Sequence, residues 1–309
     1  MKNSRSNMLI NKNTNTTHPE FTDYLREIFP LFKVQKISLN AGFTCPNRDG
    51  TKGAGGCTYC NNRTFNPDYC NTDKSITEQL QEGIRFFSRK YPEMKYIAYF
   101  QAYTNTYGDI ELLRNKYEEA LSVKDVVGII IGTRPDCISG ELLDYMEKLN
   151  KRTFVMIEYG IESSSNETLL RINRGHTFED ATNAITRTAE RGIPVGAHII
   201  LGLPGETREQ ILQHADNISG LPLTSVKLHQ LQIIRGTVMG KEYESYPEHF
   251  RLYTADEYVD LVIEFIDRLR RDIHIDRFVS QSPKELLLAP DWGLKNHEFR
   301  AKLELRVKN

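Results

Sequence analysis

Along most of this chain, short β-branched or aromatic runs alternate with stretches of helical period, uninterrupted by any repeat, low-complexity linker or composition break. The runs over 34–40, 96–103, 126–132, 154–160, 195–202 and 225–232 read as strands. Ser75-x-x-Glu78, Thr177-x-x-Asp180, Thr207-x-x-Gln210 and Thr254-x-x-Glu257 mark helix starts, because the two side chains of each pair satisfy free N–H groups of the first turn. Ile76, Leu80, Ile84 and Phe87 share one face of the first such helix, and 139–150 reads as a shorter helix with Leu142, Leu143, Met146 and Leu149 inward. Strands and helices alternating in one run require parallel strands joined by right-handed crossovers. The expectation is an α/β barrel or partial barrel, for which 309 residues suffice. A doubly wound open sheet is the alternative, but its glycine fingerprint after the first strand is absent.

Barrels of this kind carry function on the loops after the C-terminal ends of their strands. Each expected strand here runs into polar, glycine or proline residues. The second ends in Gln101-Ala102-Tyr103-Thr104-Asn105, the third in Gly132-Thr133-Arg134-Pro135-Asp136 and the fourth in Glu158-Tyr159-Gly160-Ile161-Glu162. The fifth ends in Gly202-Leu203-Pro204-Gly205-Glu206, and the sixth carries Lys227, His229 and Gln230.

The first strand leads into Cys45-x11-Cys57-Thr58-Tyr59-Cys60. Three thiolates from one loop suit an iron–sulfur cluster with one iron left open to another ligand. Zinc is the alternative: with Cys70 the loop holds enough thiolates for a closed tetrahedral staple. Zinc ribbons usually present a second C-x2-C knuckle, and a staple needs no alignment with other polar strand ends. On the cluster reading, Cys70 is a loop thiol and Cys137 a buried small apolar residue. An odd total of five cysteines argues against a secreted disulfide framework and for a reducing, cytoplasmic compartment.

Lys+Arg 40 against Asp+Glu 41 leaves a net charge of -1, which demands no nucleic acid. Local basic groups exist at Arg268, Arg270, Arg271 and Arg277, at Arg300, Lys302, Arg306 and Lys308, and around the cysteine loop at Lys33, Lys36, Arg48, Lys52 and Arg63. No apolar run reaches the ~20 residues of a membrane span. Residues 1–20 are polar, lack the apolar stretch of a signal peptide and are expected to be a loose tail. The barrel core is expected over 21–240 and a C-terminal extension packed on it over 241–309.

The stretches FTCPNRDGTKGAGGCTYCN, YFQAYTNTYG, GTRPDC, EYGIES, INRGHT and ILGLPGET, in order between about residues 35 and 240, carry a resemblance. The chain resembles the radical S-adenosylmethionine (SAM) superfamily, in the branch of the YhcC-like and YtqA-like (MnmL) proteins. That branch is related to the Elongator catalytic subunit and to oxygen-independent coproporphyrinogen oxidase. The commonest cysteine spacing of the superfamily is C-x3-C-x2-C, so x11 is a departure. The aromatic residue before the last cysteine is kept as Tyr59.

The resemblance implies a partial (β/α)6 TIM-like barrel with a [4Fe-4S] cluster on Cys45, Cys57 and Cys60. In the family, SAM chelates the open iron, one electron from the cluster cleaves it, and the 5′-deoxyadenosyl radical takes hydrogen from the substrate. Arg174 matches the arginine that pairs with the SAM carboxylate. Gln101 and Ala102 stand where a glycine-rich motif meets the SAM amino group, although the usual glycines and acid are absent. Thr133 and Glu162 stand near the ribose or methionyl group, and His198 where relatives place an acidic ribose ligand. Gly202 would let backbone approach adenine, and Tyr59 and Asn61 belong to the cluster loop. Plain structural readings stay open beside these: a surface Arg174, a helix-capping Glu162, a core His198 and a simple turn at Gly202. Candidate substrate contacts are Tyr103, Asn105, Arg134, Asp136, Lys227, His229 and Gln230.

The resembled branch points to tRNA, and to conversion of carboxymethylaminomethyl-uridine to aminomethyl-uridine at the wobble position. It also implies an electron donor such as flavodoxin or ferredoxin, and a functional link to a tRNA methyltransferase. Two other readings remain: a radical SAM enzyme on a small molecule such as a porphyrin precursor, and a zinc-stapled binding protein without catalysis.

Overall fold

The computed structural model describes residues 9–10, 17–64, 66–67, 69–89 and 93–308. Its main sheet has seven strands: β1 (Val34–Leu39), β2 (Lys95–Phe100), β3 (Val126–Thr133), β4 (Phe154–Glu162), β5 (Val195–Leu201), β6 (Ser225–Gln230) and β7 (His274–Arg277). They lie side by side in chain order, and every neighbouring pair is parallel. The helices are α1 (Phe21–Ile28), α2 (Ile76–Ser88), α3 (Ile110–Ser122), α4 (Gly140–Asn150), α5 (Asn166–Arg171), α6 (Phe178–Ala189), α7 (Arg208–Ser219), α8 (Val238–Ser245), α9 (Ala255–Arg268) and α10 (Asn296–Lys308).

The capping boxes expected at Ser75, Thr177, Thr207 and Thr254 open α2, α6, α7 and α9. Ser139 caps α4, whose buried residues are Leu142, Leu143, Met146 and Leu149. Along the strands, alternate residues such as Ile37, Ala98, Ile129, Ile131, Val155 and Ile157 face these helices in one large apolar core.

The sheet is not flat. Strands spaced ~4.8 Å apart would hold β1 and β7 roughly 29 Å from each other in a flat sheet. Instead Lys36 Nζ of β1 lies 2.6 Å from Asp276 Oδ2 of β7. The sheet therefore curls until its two edges exchange an ion pair, giving an open, partial barrel. β7 exceeds the expected six strands: four residues of mixed polarity in the C-terminal segment carry too little periodicity to announce a strand.

The two ends of the barrel interior differ. At the N-terminal end of the strands, Phe21 and Leu25 of α1 plug it against Ile97, Tyr99, Ile130, Phe154 and Met156. The C-terminal end is polar and open. Of the N-terminal segment expected to be loose, residues 1–8 and 11–16 lie outside the described residues, while its last part is held. His18 is 2% exposed, with Nδ1 3.0 Å from the Ile273 carbonyl oxygen, and Glu20 pairs with Arg300 of α10.

Candidate active site

The polar end of the barrel encloses a cavity of about 1210 Å³, counting space open to solvent. Cys45, Cys57 and Cys60 all line it. Their loop folds back on itself: Arg48 N donates to Cys45 O at 2.8 Å and Gly56 N to Asn47 O at 2.8 Å. Gly55 and Gly56 take φ of 80° and 78°, left-handed values that a side chain resists. Thr58 then stitches the loop to both neighbours, donating from N to Ile172 O at 2.9 Å and accepting from Met239 N at 2.9 Å.

Polar groups converge on the sulfurs. Arg174 Nη1 lies 3.5 Å from Cys57 Sγ, Asn47 Nδ2 3.7 Å from the same sulfur, and Asn62 Nδ2 3.7 Å from Cys60 Sγ. Burial, with Cys57 beside it, pushes the Cys60 thiol up to about 12, so a thiolate there needs compensating positive charge.

The strand ends supply the opposite wall. Residues of β4 alternate in direction, so Glu158, Gly160 and Glu162 face the cavity while Tyr159 and Ile161 pack outward. Glu162 sits at φ 72°, beside a register break in the β4–β5 pairing, and its Oε1 is 3.4 Å from Arg174 Nη2. A carboxylate-bearing residue held in left-handed backbone is strain of the kind concentrated at functional sites. Arg174 also donates from Nη2 to Gly160 O at 2.6 Å. Arg134, from the end of β3, donates from Nε to Asp136 Oδ1 at 2.9 Å, and Lys52 of the cysteine loop reaches the same acid at 3.0 Å. Arg134 and Arg174 are 2% and 6% exposed, and each keeps one buried N–H atom, Nη1 and Nε respectively, without a protein partner. Both side chains line the cavity through their remaining atoms and bring positive charge to its wall.

Below them lies an ionic layer. Lys227 Nζ is 2.6 Å from Glu158 Oε2, 3.2 Å from Asp276 Oδ2 and 3.0 Å from the Tyr99 hydroxyl, while His198 Nε2 is 2.9 Å from Glu158 Oε2. Burial alone would raise the Glu158 carboxyl, but Lys227 and His198 outweigh it and hold it well below the usual carboxylate range. Burial, then the Arg277 charge, keeps His229 neutral far below its ordinary titration point.

Of the residues expected from sequence, Tyr59, Gln101, Thr133, Glu162, Arg174 and His198 line the cavity with the cysteines. Three do not. Asn61 turns into its own loop, accepting from Arg63 N and Thr64 Oγ1, and the next residue, Asn62, faces the cavity instead. Ala102 is 1% exposed and Gly202 packs at a turn, where an added Cβ would stand 3.2 Å from the Tyr253 ring. Among the substrate candidates Tyr103, Arg134, His229 and Gln230 line the cavity. Asn105 braces strand ends, donating to Phe100 O and Gly132 O; Asp136 braces Arg134, and Lys227 lies in the ionic floor. Tyr99, Glu158, Asn62 and Ser280 were not expected from sequence. Glu158 was discoverable: it stands at i−4 to Glu162 on a strand, hence on the same face.

Cys70 is not part of the cavity wall; its thiol donates to Ser38 O at 2.9 Å. Cys137 is half-buried, with its thiol 3.6 Å from Asp136 Oδ1. Among the described residues, no His, Cys, Asp or Glu group is close-set enough to hold a single metal ion. Cys70 thus stands apart from the wall that Cys45, Cys57 and Cys60 share.

A family model described as the radical SAM superfamily matches residues 44–218, and one described as the radical SAM C-terminal domain matches 223–309. The chain belongs to the radical SAM superfamily. The uncharacterized protein YtqA of Bacillus subtilis is 36% identical over 297 residues, spanning 96% of this chain and 91% of that one. A tRNA uridine(34) acetyltransferase of Methanocaldococcus infernus is 28% identical over 158 residues, which span 47% of this chain and 28% of that protein. The solved structure of M. infernus Elp3 superposes with a TM-score of 0.65 at 18% identity, covering 90% of this chain and 62% of that one, and shares the fold.

Radical SAM proteins use a [4Fe-4S] cluster and SAM. The residues here fit both. Three cysteines of one loop face one cavity, and two buried guanidiniums line it with them. No helix among the described residues is long and apolar enough to cross a membrane.

Proposed function

We propose that this radical SAM enzyme acts on wobble uridine of tRNA, converting the carboxymethylaminomethyl group to the aminomethyl group. The observation that carries this reading is the pair of buried guanidiniums, Arg134 and Arg174, that line one cavity with the three cysteines. SAM brings one carboxylate. A second guanidinium suits a substrate that brings its own, as the carboxymethylaminomethyl group does. The name of the tRNA uridine(34) acetyltransferase relative adds support for a tRNA substrate.

Cys45, Cys57 and Cys60 hold the cluster, and Arg174 takes the SAM carboxylate. Bound together, cluster and SAM supply a one-electron cleavage that makes a hydrogen-abstracting radical; an external donor such as flavodoxin or ferredoxin supplies the electron. Gln101, Thr133 and Glu162 line SAM's berth, and Arg134 orients the substrate carboxylate with Asp136 and Lys52 fixing its plane. Glu158, neutralised by Lys227 and bonded to His198, gives the cavity a fixed polar floor. The hydrogen removed would come from the carbon between the side-chain nitrogen and the carboxylate; loss of one further electron to a one-electron acceptor would leave an imine, and water would hydrolyse it to the aminomethyl group and a free oxo-acid.

The tRNA approaches the mouth, where Arg48 and Arg63 are exposed beside the cysteine loop. The C-terminal cations are poorly placed for phosphate: Arg268 pairs with Glu209, Arg270 with Asp272, and Arg306 and Lys302 with Asp256. Nucleoside profiling of tRNA from a deletion strain tests the reading. Carboxymethylaminomethyl-uridine should accumulate at the expense of the aminomethyl form and be restored to normal by the wild-type gene but not by Arg134→Ala. Unchanged wobble uridines in the deletion strain would reject the tRNA assignment.

A further inference from the structure

Two asparagines that the cofactor chemistry does not require are aimed at cluster sulfurs. Asn47 is 1% exposed and Asn62 is 9% exposed. Asn47 Nδ2 lies 3.7 Å from Cys57 Sγ, and Asn62 Nδ2 lies 3.7 Å from Cys60 Sγ.

An amide side chain has two ends, so the orientation has to be argued from its other partners. Both are fixed by backbone. Asn47 Nδ2 also donates to Asn173 O at 2.6 Å; turned over, its oxygen would face that carbonyl oxygen. Asn62 Oδ1 accepts from Tyr103 N at 3.1 Å; turned over, its NH2 would face that N–H. Each amide therefore presents an N–H to its sulfur.

The surroundings are shaped for this. A Cβ on Gly53 would stand 2.2 Å from Asn47 Oδ1, and one on Gly175 3.0 Å from it, so two glycines make room for the Asn47 amide. Tyr103 adopts φ 62°, a left-handed value unusual for a tyrosine, at the residue whose N–H holds Asn62.

We propose that Asn47 and Asn62 are positioning residues that tune the one-electron reduction of the cluster through N–H···S hydrogen bonds. Reduction adds one electron, taken from an external one-electron donor, and no bond is made or broken. The added negative charge spreads onto the cysteine sulfurs. Donors directed at those sulfurs stabilise the more negative state and shift the equilibrium towards the reduced cluster. In this site the shift favours the state that must form before SAM is cleaved. The proposal is independent of the substrate, and it rests on the assignment of the cluster to Cys45, Cys57 and Cys60.

The test is a redox titration of the full chain, reconstituted anaerobically and reduced with dithionite, with the reduced cluster followed by EPR. Asn62→Leu and Asn47→Leu should each shift the equilibrium towards the oxidised cluster by about tenfold, a potential lower by about 59 mV for a one-electron couple. Asn62→Asp keeps an oxygen for the Tyr103 N–H but replaces the donor by negative charge, so its shift should be larger than that of Asn62→Leu. Pulsed EPR of the wild type in D2O should show an exchangeable proton near the cluster that is weakened in each variant. Variants with wild-type iron content and an unmoved potential would overturn the proposal. So would loss of iron from both Asn62 variants, which would make that amide a brace of the loop. A wild-type protein that takes up no iron would instead sink the cluster assignment, and the proposal with it.

Discussion

Replacing Lys227 by Met should unbalance the charges buried at the cavity floor. Lys227 and Glu158 have side chains 6% and 1% exposed and meet at 2.6 Å, so neither charge has water to fall back on. Lys36 and Asp276 form the companion pair at 2.6 Å, which leaves the floor neutral in the native protein and one negative charge in excess in the variant. Breaking a buried pair from one side costs about 3–5 kcal/mol, because the remaining ion keeps its desolvation penalty without its partner. At about 2.1 cal/mol/K per residue, 309 residues give an unfolding entropy of about 0.65 kcal/mol/K. The melting temperature should therefore drop by roughly 5–8 °C. Circular dichroism melts of wild type, Lys227→Met, Glu158→Gln and the double variant make the cycle. The double variant should lose at least about 2 kcal/mol less than the sum of the single losses, since it leaves no unpaired charge. A Lys227→Met shift below about 2 °C, with additive losses in the double variant, would refute the reasoning.

Cys45→Ala, Cys57→Ala and Cys60→Ala should each abolish cluster retention, whereas Cys70→Ala and Cys137→Ala should keep wild-type iron and visible absorbance; iron lost on Cys70→Ala would return Cys70 to the ligand set. Arg174→Lys keeps a charge but loses the planar fork, so SAM binding measured by calorimetry should weaken at least about tenfold, roughly 1.4 kcal/mol, and unchanged affinity would remove Arg174 from the SAM site. His18 is depressed below its ordinary 6.5, chiefly by burial, so the unfolded chain takes up its proton first as pH falls. Its contribution to stability is full above about pH 6.5 and declines below it at up to about 1.4 kcal/mol per pH unit until the depressed folded value is reached. Melts of His18→Asn between pH 7.5 and 5 should fall less steeply than those of wild type, and parallel profiles would count against it.

Local signals were legible before the fold was seen. The Ser75, Thr177, Thr207 and Thr254 capping boxes are short-range hydrogen-bond patterns, and all of them start helices where expected. The six longer strands announce themselves through apolar runs, and the cysteine loop through its spacing. β7 did not, because His274–Arg277 draws its stability from pairing with β6 and from the bridge of Ile275 to Glu20, not from its own composition. The site was half legible. Arg174 and Glu162 stand in motif stretches, but nothing local distinguishes Asn62, which faces the cavity, from Asn61, which does not. That choice depends on a shift of one residue at the start of a short 3-10 segment.

The sequence by itself determined the elements, their order and the three cysteines, because periodicity, capping and ligand spacing act over a few residues. Only the tertiary structure decided that the sheet curls until Lys36 reaches Asp276, 240 residues away. Closure depends on strand twist and on the layers that fill the interior, α1 below and the Lys227–Glu158 floor above it. The same curl brings Arg134 and Arg174, from other strand ends, to the cysteine sulfurs, so no window of sequence contains that meeting. The Asn47 and Asn62 amides sit in the cysteine loop itself, but Asn173 O and Tyr103 N from outside it fix which way they point.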